Sequence, residues 1–204
     1  MSAYEHPTYA ELRRRFRAGD NPTRHLMIED GAAFASFSIM TPTETAERLF
    51  RRWIEAGRPV ILTGITKQLS VTRERRLLSV TLLSDMQVEF LSCMRSPNLD
   101  RIFAQWTWGY GPAKASFAMA CAGIGQLPCL DRRLMKKHDI PEHDLERWPG
   151  YLDWCERLYP GIDDKASAGA REWLIDPSAE RYETDHDVLL GGPSPQLLLG
   201  IGGT

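Results

Sequence analysis

The sequence predicts an all-α protein arranged as two small helical lobes around a shared core. Three observations carry this. Apolar residues recur at helical spacing in nearly every segment that holds them, as in Ala46, Leu49, Phe50, Trp53 and Ile54. Gly, Pro and Asn break the chain between those segments, as at Asp20-Asn21-Pro22, Gly57 and Ser96-Pro97-Asn98. No stretch alternates apolar and polar residues around a hairpin turn. The 204 residues suffice for one domain or two lobes, and 43% hydrophobic with 25% charged residues is ordinary for a globular chain.

Taken in order, residues 9–18 read as a short basic helix ending near Gly19. Residues 24–37 form the next, with Leu26, Met27, Ile28, Phe34 and Phe37 as its apolar positions. Thr41 or Thr43 caps a helix from Glu44 to Ala56, with Pro42 near its first turn. The run Pro59-Val60-Ile61-Leu62 is apolar and of undecided type. Arg73 to Met94 reads as one or two helices with Leu77, Leu78, Val80, Leu82, Leu83, Met86, Phe90 and Leu91 inward. Leu99 to Trp106 is a helix, and Ala113 to Ala122 is a second one, small and apolar, opened by Pro112. Arg132 to His138 is basic and helical. Glu142 to Tyr159 follows, kinked at Pro149-Gly150, and Asp164 to Leu174 is the last sizeable helix. Residues 1–175 are thus expected as one compact helical unit, and 176–204, rich in glycine and ending apolar, as an irregular extension.

Trp106 to Lys137 is the stretch around which the chain is organised. Gly109 and Gly111 flank Tyr110 in a turn that calls for positive φ or a close backbone approach. A second turn, Gly123-Ile124-Gly125-Gln126, leads through Leu127-Pro128-Cys129-Leu130 to Asp131. Arg132, Arg133, Lys136 and Lys137 come next. Glycine amides, a packed helix, then one carboxylate beside a basic helix form a way to hold a phosphate backbone and present an anion to it.

This pattern resembles the helix-hairpin-helix DNA glycosylase superfamily. Gly109, Gly111 and Ala115 fill the hairpin pattern, and Cys129-Leu130-Asp131 stands where that family has a short apolar segment ending in its catalytic aspartate. Asp131 lies 22 residues after Gly109, the spacing of the family. The likeness is clear from 99 to 137 and weaker from about residue 26. It implies a two-lobed helical fold with the hairpin at 99–123, DNA as partner, base flipping, and cleavage of an N-glycosidic bond with Asp131 stabilising the oxocarbenium-like transition state. Gly109, Gly111, Lys114, Arg132, Arg133 and Lys136 are the DNA-binding candidates. Many relatives carry a Ser-x-Gln-x-Thr segment whose side chain fills the gap left by the flipped base; here Ser38-Ile39-Met40-Thr41 stands there without the glutamine, making Ile39 or Met40 an apolar wedge or simply core. Relatives that also cut the strand place a lysine four residues after the first glycine. That position is Ala113, and Lys114 lies about 100° further round a helix, so a monofunctional enzyme is expected.

The resemblance also implies a monovalent cation at the hairpin and, in several relatives, a four-cysteine iron–sulfur cluster after the aspartate. Only Cys155 of Cys93, Cys121, Cys129 and Cys155 follows Asp131, so no cluster is expected, and the cysteines read as reduced, mostly buried thiols. No C-x-x-C pair exists, and His138 and His143 straddle Pro141, so no metal is expected. No nucleotide-binding loop or Ser-His-Asp order is present. No apolar run approaches the ~20 residues of a membrane span, and the opening residues lack a signal-peptide core. The expected location is cytoplasmic, at the nucleoid in a bacterial or phage setting.

Net charge is −2, but residues 1–138 hold 20 Lys/Arg against 13 Asp/Glu and residues 139–204 hold 5 against 14. A basic body with an acidic end binds a polyanion on one face. Two further readings share these features. Bacteriophage enzymes that elaborate thymine in DNA are similar to the same fold and transfer a group instead of breaking the sugar–base bond. A non-catalytic helix-hairpin-helix module needs only the hairpin, with Asp131 as a helix cap. Trp106, Trp108, Tyr110 and Phe117 line a stacking pocket or belong to the core.

Overall fold

A computed structural model describes residues 24–38, 43–59, 71–94, 96, 98–163, 165, 166, 168, 169 and 172. Among them every regular element is helical: α1 Arg24–Ser38, α2 Thr43–Glu55, α3 Val71–Thr81, α4 Asp85–Cys93, α5 Leu99–Trp106, α6 Pro112–Cys121, α7 Arg132–Lys137, α8 Glu142–Leu145 and α9 Trp148–Leu158. The all-α class is therefore as expected. The expected helix at 9–18, Val60 to Leu62 of the apolar run, Ile39, Met40 and the 176–204 extension lie outside the described residues.

α1 is the centre. Every residue from Met27 to Phe37 is buried, and the helix packs on α6, α2, α3 and α4. A helix enclosed on all sides needs small residues where partners cross. Gly31 provides this: a Cβ there would sit 2.7 Å from both the Ala118 carbonyl oxygen and the Ala122 nitrogen of α6. One side of α1 joins α2 through Phe34, Phe37, Phe50 and Trp53. The other joins α3 to α6 through Ile28, Val80, Leu91, Phe103 and Met119. A third cluster, built by Leu127, Leu130, Leu134, Leu145, Tyr151 and Cys155, holds the loop before α7 against α9. Ala113 at the start of α6 packs on it, which brings the hairpin and the Asp131 segment together.

After α2 the chain turns through Gly57 and Arg58, both at positive φ (80° and 57°). Arg58 reaches back to α1 and donates from Nε and Nη2 to the two oxygens of the buried Asp30, at 2.7 and 3.0 Å. Burial raises the Asp30 pKa and the guanidinium opposes that rise.

Two expectations need correction. Leu78, Leu82, Met86 and Phe90 are not inward: they are exposed, Met86 by 79%, while Leu77, Val80, Leu83, Val88 and Leu91 fill the core. The segment is apolar on several faces, so periodicity alone did not choose between them. It is two helices, restarted by a capping box between Ser84 and Gln87. The helix expected from Glu142 to Tyr159 is also two. The break falls at Glu146 and Arg147, before Pro149, which occupies the first turn of α9 where its missing N–H costs nothing. Gly150 lies so close to the end of α8 that a Cβ would clash with the Asp144 carbonyl.

Candidate functional site

The hairpin is α5, a turn, and α6. Thr107 closes α5, its Oγ1 donating to the Phe103 carbonyl at 2.7 Å. Gly109 takes φ 78°, the left-handed turn that glycine tolerates best. Gly111 does not need to be glycine for its backbone: φ is −71° and ψ 176°, and a Cβ would meet nothing within 4 Å. It caps α6 as an exposed, open position. Tyr110 between them is a plug, not a pocket wall. Its ring is 3% exposed and its hydroxyl donates to the Ala32 carbonyl of α1 at 3.0 Å, with Ser36 Oγ also at 3.0 Å. Phe117 packs into the core beside Phe34, and Trp106 rests on Phe90. Of the four aromatics only Trp108 stands in solvent.

α3 braces the turn from outside. Ser79 Oγ accepts the Trp108 N–H at 2.9 Å, and Arg76 Nε donates to the Gly109 carbonyl at 3.0 Å. Lys114, in the first turn of α6, is half-buried; that burial, and Arg76 beside it, lower its pKa to about 8.

Residues 126–130 hang on two side chains from elsewhere. Asp100 of α5 is fully buried and accepts the Leu127 N–H at 3.0 Å and the Gln126 N–H at 3.5 Å. Tyr151 of α9, equally buried, donates to the Pro128 carbonyl at 2.5 Å and accepts the Leu130 N–H at 3.1 Å. Ser116 Oγ of α6 is buried and completes no hydrogen bond. Burial pushes the Asp100 carboxyl up to about 8 despite the two backbone donors. Gly125 adds a close approach, its Cβ position 2.5 Å from the Ala120 nitrogen. The loop that delivers Asp131 is thereby fixed on α5, α6 and α9.

Asp131 caps α7. Oδ1 accepts the N–H groups of Arg133 and Leu134 at 3.0 and 3.2 Å, and Oδ2 accepts Arg133 Nε and Nη2 at 3.1 and 2.9 Å. The carboxylate is 31% exposed. Arg133 thus turns back onto the aspartate, whereas Arg132 and Lys136 point to solvent and line an open groove of about 490 Å³ with Met135 and Ile140. Lys137 and His138 at the end of α7 are engaged by Glu172, at 2.9 and 2.5 Å. Burial raises the Cys129 thiol, the adjacent Asp131 adds to the rise, and burial lifts Cys155 to about 12, which keeps both thiols protonated at neutral pH.

Around Gly109 and the Asp131 loop, both singled out in the sequence, the structure places Arg76, Asp100 and Tyr151, which have no local sequence signal. Ile39 and Met40 are outside the described residues. Among the described residues no three His, Cys, Asp or Glu side chains converge on a metal position, and no helix is long and apolar enough to cross a membrane. Comparison with protein-family models, curated proteins and solved structures finds no match to this chain.

Proposed function

We propose that the chain is a DNA glycosylase-like enzyme of two helical lobes, working on DNA in the cytoplasm or nucleoid. It flips a base out of the duplex and hydrolyses the N-glycosidic bond. Bond electrons leave with the base, the sugar passes through oxocarbenium character, and water oxygen closes on C1′ while its proton is lost to Asp131 or solvent. Asp131 supplies the negative charge that steadies that sugar cation. Backbone amides at Gly109 and Gly111, with Lys114, Arg132, Arg133 and Lys136, meet the phosphates.

The observation that carries this reading is the presentation of Asp131. One partly exposed carboxylate stands at the head of a cationic helix, on a loop strapped by two fully buried side chains. A site that stabilises developing charge needs that kind of rigid delivery. Incubating the protein with DNA carrying varied modified bases, then analysing nucleosides by mass spectrometry, tests it: free base and abasic sites are expected. An intact, heavier nucleotide would instead identify a base-modifying transferase on the same scaffold.

A second reading has its own observation. Both oxygens of Asp131 already accept two donors each, as in a purely structural cap. A non-catalytic helix-hairpin-helix DNA-binding module follows if DNA binds and no base is released or altered.

A further inference from the structure

Trp108 is a large aromatic left 48% exposed at the tip of the hairpin, and its backbone is not loose. Its N–H is held by Ser79 Oγ, and the next residue, Gly109, is fixed by Arg76. The Arg75 guanidinium lies 5.8 Å from the centre of the Trp108 ring, near enough for a cation–π contact. Leu78, one turn further along α3, is exposed as well. Three cations therefore surround this tip: Arg75, Arg76 and Lys114. None makes an ion pair among the described residues, and Arg76 and Lys114 repel each other. Like charges gathered at a half-buried turn raise the free energy of the empty protein, and an anion placed between them relieves it. A fixed, exposed aromatic plane beside uncompensated cations is the arrangement that takes an unstacked base and its phosphate.

We propose that Trp108 is a stacking platform for an unpaired DNA base, with the adjoining phosphate held by Arg76 and Lys114. This deepens the DNA reading: the hairpin grips a splayed or single-stranded nucleotide in addition to duplex backbone. Charge complementarity selects nucleic acid as the occupant. A second copy of the chain would bring the same cations to the same place.

The test is titration of the full chain with a short oligothymidylate, a duplex of equal charge and inorganic polyphosphate, following tryptophan fluorescence. The oligothymidylate should quench the wild type, and the quenching should vanish in Trp108→Phe while binding persists, since phenylalanine still stacks. Trp108→Leu should weaken oligothymidylate binding about ten-fold, with polyphosphate unaffected. Quenching retained in Trp108→Phe would overturn the proposal. So would unchanged affinity in Trp108→Leu, or concentration-dependent self-association that Leu82→Ser and Met86→Ser abolish. Release of a free base by a Trp108→Leu protein with unaltered single-strand affinity would sink this inference alone. Trp108-dependent quenching without base release would leave it standing and remove the glycosylase.

Discussion

Arg133 closes a fork on the aspartate two residues before it: Nε and Nη2 lie 3.1 and 2.9 Å from Asp131 Oδ2, while the Arg133 backbone N–H reaches Oδ1. Among the described residues, Arg133 alone thus supplies three of the four hydrogen bonds seen at the carboxylate. On the proposed DNA reading, Arg133 should therefore contribute less to binding than its neighbours. Replacing Arg132 or Lys136 by alanine should weaken duplex binding and lower the salt-dependence slope by about one each. Arg133→Ala should change the slope less. Binding isotherms at several salt concentrations decide this, and equal slopes for all three variants and the wild type would displace the proposed face.

Asp100 should make stability fall with rising pH. Its folded pKa, about 8, stands above the ordinary value of about 4. The native state therefore holds a proton that the unfolded chain releases, so this residue's contribution is greatest in acid and declines as pH climbs from about 4 to 8. Asp100→Asn removes the slope but presents an amide to one of two backbone donors. The variant should be less stable than wild type near pH 5, with a deficit that shrinks toward pH 8. Urea denaturation across that range measures it; a deficit that widens with pH would contradict the assignment.

Tyr110→Phe should leave the Ala32 carbonyl and Ser36 hydroxyl without their buried partner, at a cost of about 1–3 kcal/mol. Gly31→Ala should cost a similar amount, about 1–3 kcal/mol, because the added methyl meets α6 backbone that cannot move aside cheaply. Thermal or chemical unfolding tests both. Wild-type stability in Gly31→Ala would mean that α1 and α6 are not so close.

Local signals explain what was legible. The hairpin, the proline-led start of α6 and the Asp131 cap are each written within a few neighbouring residues. The long-range parts were not. Asp100 meets Leu127 across 27 residues of sequence and Tyr151 meets Leu130 across 21, and no periodicity reports such a pairing. The Gly109-Tyr110-Gly111 pattern suggests that both glycines are conformationally obliged, yet of the two only Gly109 takes positive φ. The brace that Arg76 puts on Gly109 depends on how α3 meets the turn, 33 residues away in sequence, and no local pattern reports it.

Lys114 has the lowered pKa, about 8, of an amine that could attack a sugar. Its place in the register, one beyond Ala113, argues for phosphate contact instead. Borohydride added during reaction with DNA should trap no covalent complex, and Lys114→Ala should bind DNA modestly more weakly while retaining turnover. A trapped species lost in Lys114→Ala would make Lys114 the nucleophile.

The central claim is that Asp131 carries the chemistry, and Asp131→Asn tests it most directly. Asparagine caps a helix about as well as aspartate, so α7 and DNA affinity should survive. The charge facing the sugar is gone, so release of free base from substrate DNA should fall by orders of magnitude. Base release at the wild-type rate by a folded, DNA-binding Asp131→Asn protein would contradict the account.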